Sequence, residues 1–186
     1  MIRAWGVAGV LLLAACSSGN SDDGGKAAVK PSDETLAALV SQTDDLSAVS
    51  ATLGDTGLAQ VFEGVAPYTL LAPRDAAFDS LGEAGKVLRS PEQRPAMIAV
   101  LRDHIIPGYL MPEDIAKAIA REGDGKVTMK TMGGHTLTFS GREGAITATG
   151  EDGTSAHFAG EPLLGGNGVA IPLDGLTVKI DGAGAS

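Results

Sequence analysis

The spacing of apolar residues changes once along this chain, and that change constrains the fold more than any other feature. Up to about residue 120 the apolar side chains recur every three to four positions, as on one face of a helix; from Lys126 they alternate. Leu36, Leu39 and Val40 share one helical face. Asp44 or Asp45 is placed to cap a second helix that carries Leu46, Val49 and Leu53 and closes at Gly54. Ser90-Pro91-Glu92-Gln93 reads as a capping box with proline at the first helical position, followed by the stripe Met97, Ile98, Leu101 and Ile105 up to Pro107-Gly108. Pro112 opens a further helix with Ile115 and Ile119 inward, ending at Gly123. One strand interrupts this half, at residues 68–72, stopped by Pro73; Asp75 then reads as the N-cap of a helix over 76–81 that points Phe78 and Leu81 inward.

Beyond Lys126 the alternating pairs are Val127/Met129, Leu137/Phe139, Ile146/Ala148, Ala156/Phe158, Val169/Ile171/Leu173 and Leu176/Val178/Ile180. Gly133-Gly134, Glu143-Gly144, Asp152-Gly153, Asn167-Gly168 and Asp174-Gly175 separate them at hairpin spacing. Helices first and strands later predict an α+β fold: a helical half packed on a mainly antiparallel meander or wedge of about seven strands, one face wet.

The N-terminus reads as an address. Met1-Ile2-Arg3 is a short positive lead, and residues 4–15 form an apolar run too short for the roughly 20 helical residues that cross a bilayer. It ends in Leu13-Ala14-Ala15-Cys16, which resembles the lipobox of bacterial lipoproteins, and Cys16 is the only cysteine. The resemblance implies a diacylglycerol on the Cys16 sulfur, hence membrane attachment through lipid, and Ser17 after it favours the outer membrane. The partition is then a signal peptide over 1–15, a Gly/Ser/Asp-rich tether over 16–34 with a reach of roughly 20 Å, a folded domain over 35–182 and a tail over 183–186. At 186 residues and a net charge of −9 the chain lacks the basic stripe that a phosphate backbone demands, so nucleic acid is excluded as partner.

Thr69-Leu70-Leu71-Ala72-Pro73-Arg74-Asp75-Ala76-Ala77-Phe78 resembles the first signature of fasciclin domains. Asp103-His104-Ile105-Ile106-Pro107-Gly108 is similar to the family's middle signature, with Asp103 where the family carries tyrosine. Asn167-Gly168-Val169-Ala170-Ile171-Pro172-Leu173-Asp174 aligns with the final signature, with Ile171 in place of its histidine. The resemblance spans about residues 35–180. It implies backbone or core duties for Thr69, Pro73, Asp75, Phe78, Pro107, Gly108, Asn167, Gly168 and Asp174, with Asn167-Gly168 as a positive-φ turn. It also implies adhesive contact with a cell-surface partner.

Few residues carry chemistry. His104 shares the face of Met97 and Leu101, so its plain reading is a hydrogen-bonded core histidine; a dyad with adjacent Asp103 fails because neighbouring helical side chains point about 100° apart. His135 and His157 fall in separate strands without ligand spacing, so no metal is expected. No G-x-S-x-G elbow surrounds a serine and no phosphate loop is present, so no catalytic residue and no cofactor are expected. Tyr109 and Met111 lie in the turn after Pro107-Gly108. The candidate partner-binding set is therefore Asp103, His104, Tyr109 and Met111. The expectation is a lipid-anchored envelope protein that binds an extracellular or envelope protein or glycan without catalysis. A periplasmic accessory protein that takes a small ligand is the alternative.

Overall fold

The computed structural model describes residues 31–63 and 66–180. The expected signal peptide, Cys16, most of the tether and the 183–186 tail lie outside the described residues. Six α-helices and eight strands are present among them: α1 Leu36–Ser41, α2 Ser47–Thr56, β1 Tyr68–Pro73, α3 Asp75–Asp79, α4 Glu83–Leu88, α5 Arg94–Arg102, β2 Ile105–Pro107, α6 Pro112–Arg121, β3 Lys126–Lys130, β4 Thr136–Arg142, β5 Ala145–Thr149, β6 Ser155–His157, β7 Leu163–Gly165 and β8 Gly168–Leu173. The strands form two four-stranded sheets, β2-β1-β8-β7 and β3-β4-β5-β6. The expected α+β architecture is present, with eight strands where about seven were anticipated.

The second sheet is the expected meander. Its strands pair antiparallel in sequence order, and Leu137, Phe139, Ile146, Ala148 and Ala156 point to one buried face. There they meet Ile115 and Ile119 of α6. The first sheet is built around a parallel pair, β1 with β8, in register from Tyr68↔Gly168 to Pro73↔Leu173. Both strands are near-continuous apolar runs, as expected of strands covered on both faces. Their alternation divides the core in two. Leu70, Ala72 and Ala170 face the helical layer, while Leu71, Val169, Ile171 and Leu173 face the meander and α6.

Several local expectations change. α2 runs past Gly54 and closes at Gly57, whose φ of 71° suits glycine at a helix end. Ser90 makes no side-chain cap: residues Pro91–Gln93 form a 3₁₀ turn, and α5 starts after it at Arg94. α5 stops at Arg102, so Ile105 belongs to β2 rather than to the helical stripe. Leu176, Val178 and Ile180 alternate like a strand but join no sheet among the described residues. Gly168 does not adopt positive φ. Its need for glycine is closeness: a Cβ there would stand 2.4 Å from the Tyr68 carbonyl oxygen.

Residues 31–34, expected within the tether, are already tied down. The Ser32 amide donates to Leu164 O at 2.7 Å, and the Gly166 amide donates to Glu34 O at 3.0 Å.

Candidate functional site

The end of α5 is where the signature residues meet the meander. Asp103 follows the last helical residue, and its amide still bonds back to Ala99 and Val100. The turn between β3 and β4 docks on it: Gly133 N–H donates to Arg102 O at 3.0 Å and Met132 N–H to Ile105 O at 2.7 Å. That brings His135 Nδ1 to 2.7 Å from Asp103 Oδ1. The carboxylate side chain is 13% exposed and the imidazole 58%, so the pair forms a rim with its charge on the wet side. The Asp103 hydrogen bond and then its charge raise the His135 pKa above 6.5, with smaller help from Glu151 and Asp152.

Glu151 and Asp152, in the turn after β5, complete the rim. Glu151 accepts the Thr136 amide at 2.8 Å, and that bond leads the causes that hold its carboxyl below the ordinary value. Burial works against the charge on Asp152, but amide donors outweigh it and lower its pKa: Thr154 at 2.8 Å and Lys179 at 2.6 Å. Between this rim, α5 and residues 177–179 lies an open cleft of about 520 Å³ floored by Ala99, Val100, Leu137 and Val178.

His104 lies beneath the cleft and is fully buried. Its Nδ1 is 2.7 Å from Val100 O, and Nε2 accepts the Thr177 amide at 3.1 Å. Burial lowers its pKa, opposed by the Val100 carbonyl and the Asp103 charge. The expectation that His104 contacts a partner is therefore corrected: no macromolecule reaches a side chain with 0% exposure. Asp103 is corrected in part, since at 9% exposure it positions His135 more than it offers a surface. Tyr109 and Met111 are half-buried against the core under the meander. The Tyr109 hydroxyl is buried without a hydrogen-bond partner among the described residues, and burial raises its pKa.

The signature residues hold the frame. Thr69 Oγ1 donates to Gly108 O at 2.8 Å and accepts the Leu110 amide at 2.9 Å, fixing the turn that Pro107 and the positive-φ Gly108 make. Pro73 ends β1 and Phe78 fills the helical core. Asn167 accepts the Leu36 amide at 2.7 Å and donates to Phe62 O. Asp174 accepts the His157 amide at 2.6 Å and lies 3.1 Å from its ring. Asp75 is not the N-cap of α3, a place taken by Arg74; its carboxylate bonds to α2 instead.

The family model described as the fasciclin domain matches residues 44–176. The chain belongs to the fasciclin domain family. Its fold is similar to a FAS1 domain pair from the insect cell adhesion molecule fasciclin I, with a TM-score of 0.68 at 13% identity. That match covers 81% of this chain and 52% of the other, so the chain spans about half of the pair.

In this fasciclin domain the cleft residues outside the signatures, His135, Glu151, Asp152, Thr177 and Lys179, were not legible as a group. Only the docking of the β3–β4 turn on the end of α5, with the turn after β5 and residues 177–179 beside it, assembles them. Asp103 itself was the available hint, because a carboxylate buried at a helix end needs a cation or N–H donor beside it. Among the described residues no three His, Cys, Asp or Glu side chains cluster in a way that would hold a metal ion, and no helix is long and apolar enough to cross a membrane.

Proposed function

We propose that this protein is a lipid-anchored fasciclin domain of the cell envelope that works by binding a protein or glycan partner, without covalent chemistry. The observation that carries this reading is the cleft at the end of α5. A rim of His135, Glu151 and Asp152, with Asp103 holding the His135 ring in place, borders an apolar floor, so the surface offers prearranged polar groups at little ordering cost. The insect cell adhesion molecule that shares the fold supports adhesion as the biological use. Leu13-Ala14-Ala15-Cys16 supports attachment through a lipid on Cys16, and Ser17 supports the outer membrane.

A second reading is favoured by the cleft volume. At about 520 Å³ it falls within the roughly 300–1,000 Å³ of small-molecule sites, which suits an accessory lipoprotein that takes a small ligand. One experiment separates the two. Beads coated with the purified protein, or with Glu151→Lys, are scored for attachment to cells and to extracted envelope polysaccharide. Attachment that falls at least fivefold in the variant supports adhesion through the cleft. Equal absence of attachment by both, with a co-purified small molecule retained only by the parent protein, supports the accessory role. For the anchor, Cys16→Ser should move the protein from the membrane to the soluble fraction, and an unchanged membrane fraction overturns lipidation.

A further inference from the structure

We propose that residues 174–180 form an acid-released strap, latched by His104, that swings off α5 while both sheets stay folded. The proposal stands apart from the identity of any partner. After β8 the Asp174 amide still donates to His157 O of β6 at 3.1 Å, and residues 175–180 belong to no strand among the described residues. Leu176 is buried and Val178 and Ile180 are half-buried on the helical core, with Thr177 fully buried between them. The segment bends at 174–175 and again at 177–178, so no ladder satisfies its amides. Here two of them rest on titratable side chains: Thr177 N–H on His104 Nε2 at 3.1 Å, and Lys179 N–H on Asp152 Oδ2 at 2.6 Å. The strap passes so close to the meander that a Cβ on Gly150 would stand 2.0 Å from Thr177 O.

The latch has one working protonation state. A backbone N–H donates and never accepts, so Nε2 must present its lone pair to Thr177. Nδ1 then carries the proton and donates it to Val100 O at 2.7 Å. Protonation at Nε2 sets N–H against N–H. It leaves the buried Thr177 amide without its acceptor and turns the ring proton toward Thr177 Oγ1, 3.2 Å away. Burial already disfavours the charged ring, against the pull of the Val100 carbonyl and of Asp103.

The charged groups around the latch do not duplicate it. Asp103 lies on the same helix end and is bonded to His135, whose protonation strengthens that contact. Asp152, held below its ordinary value, keeps its charge at pH 5 and goes on accepting from Lys179. At the near end of the strap, Asp174 accepts the His157 amide at 2.6 Å, a contact that needs no ring proton. His104 is thus the strap contact that fails first on acidification.

The sign and size follow from linkage. The closed strap holds a neutral ring with a lowered pKa, whereas an open strap exposes a histidine titrating near 6.5. The latch is fully effective above 6.5 and weakens as pH falls below it. Between pH 7.5 and 5.0 an open-state histidine of pKa 6.5 takes up protons that the closed ring resists, which raises the opening equilibrium by at most about 30-fold.

The test is amide hydrogen exchange of the full chain, corrected for intrinsic rates, at those two pH values. The expected result is a loss of protection over 175–180 of severalfold and at most about 30-fold, with β1 and β8 unchanged. His104→Gln keeps an acceptor near the Nε2 position and cannot be protonated, so its strap should show no pH dependence, whereas His135→Gln should behave like the parent. Unchanged strap protection in the parent, loss in step with β1 and β8, or a surviving pH dependence in His104→Gln each overturns the proposal. Should His104→Gln fail to fold, NMR of the parent protein decides: the His104 ring and the Thr177 amide should titrate with one midpoint below 6.5, and a Thr177 amide that ignores the ring's titration overturns it.

Discussion

Asp75 opens α3 but serves α2: its Oδ1 accepts the Ala48 amide at 2.9 Å, while Oδ2 accepts the Ser47 amide at 3.1 Å and the Ser47 hydroxyl at 2.6 Å. The first turn of α2 carries no acid and no side-chain cap of its own, so a carboxylate from another helix supplies both the acceptor and the negative charge that a helix start favours. The bond also fixes α3 against α2, which couples the end of β1 to the helical layer.

Asp75→Ala should cost about 1–2 kcal/mol in urea denaturation, the range of a lost helix cap, and Asp75→Asn less, because the amide oxygen still accepts. Burial raises the Asp75 pKa, but the Ser47 hydroxyl and the two amides outweigh it and leave it below 3.8. Its contribution is therefore complete above about pH 4 and disappears as pH falls through the lowered value. Asp75→Asn should flatten that acid limb of the stability curve.

Asn167 joins three parts of the chain through one side chain, the start of α1, the segment ending at Phe62 and the β7–β8 turn. Asn167→Ala leaves the Leu36 amide and the Phe62 carbonyl without these partners, at a cost of about 1–3 kcal/mol for each group that water does not reach. Asn167→Asp keeps the acceptor for Leu36 and removes the donor to Phe62, so it should fall between the parent and Ala in urea denaturation.

Gly168→Ala tests why that position is glycine. A positive-φ turn would make the penalty a local matter of backbone strain. In the observed geometry a Cβ meets the Tyr68 carbonyl at 2.4 Å, so the substitution pushes β8 from β1. Amide exchange should quicken along the paired residues Tyr68, Thr69 and Val169, with little change in the meander. Faster exchange confined to residues 166–168 would restore the turn explanation.

The elements easiest to read from the sequence depend on neighbours in sequence. The Pro112–Arg121 helix has its proline at the start and Ile115 and Ile119 one turn apart. The meander strands alternate cleanly between glycine-containing turns. What was missed depends on distant partners. The β1–β8 pair joins Tyr68 to Gly168, and its two apolar runs carry no mark of parallel direction. Leu176, Val178 and Ile180 have the alternation of a strand, yet the amides of Thr177 and Lys179 between them rest on the side chains of His104 and Asp152, which period counting does not see. Asp75 shows the same limit: its position before an apolar run marks a helix start, but spacing does not say whose amides it will accept.

The Asp103–His135 pair makes the last prediction, because one glycine sets its distance. A Cβ on Gly133 would stand 1.7 Å from Asp103 Oδ1 and 2.8 Å from its carboxyl carbon, so Gly133→Ala must drive the carboxylate away from the imidazole. In the parent protein the His135 midpoint lies above 6.5, chiefly through that hydrogen bond. A raised histidine pKa stabilises the fold fully below its ordinary value and ceases to as pH rises through the raised one, so the turn between β3 and β4 is held most firmly on the acid side. Asp103→Asn should bring the midpoint, followed by NMR of the ring protons, back toward 6.5, and Gly133→Ala should shift it in the same direction with every ionisable group still present. Glu151→Gln should lower it by less, since Glu151 contributes through charge alone. If Gly133→Ala left the midpoint where it is in the parent, Asp103 would not be its cause, and the rim of the cleft would owe its charge to Glu151 and Asp152 instead.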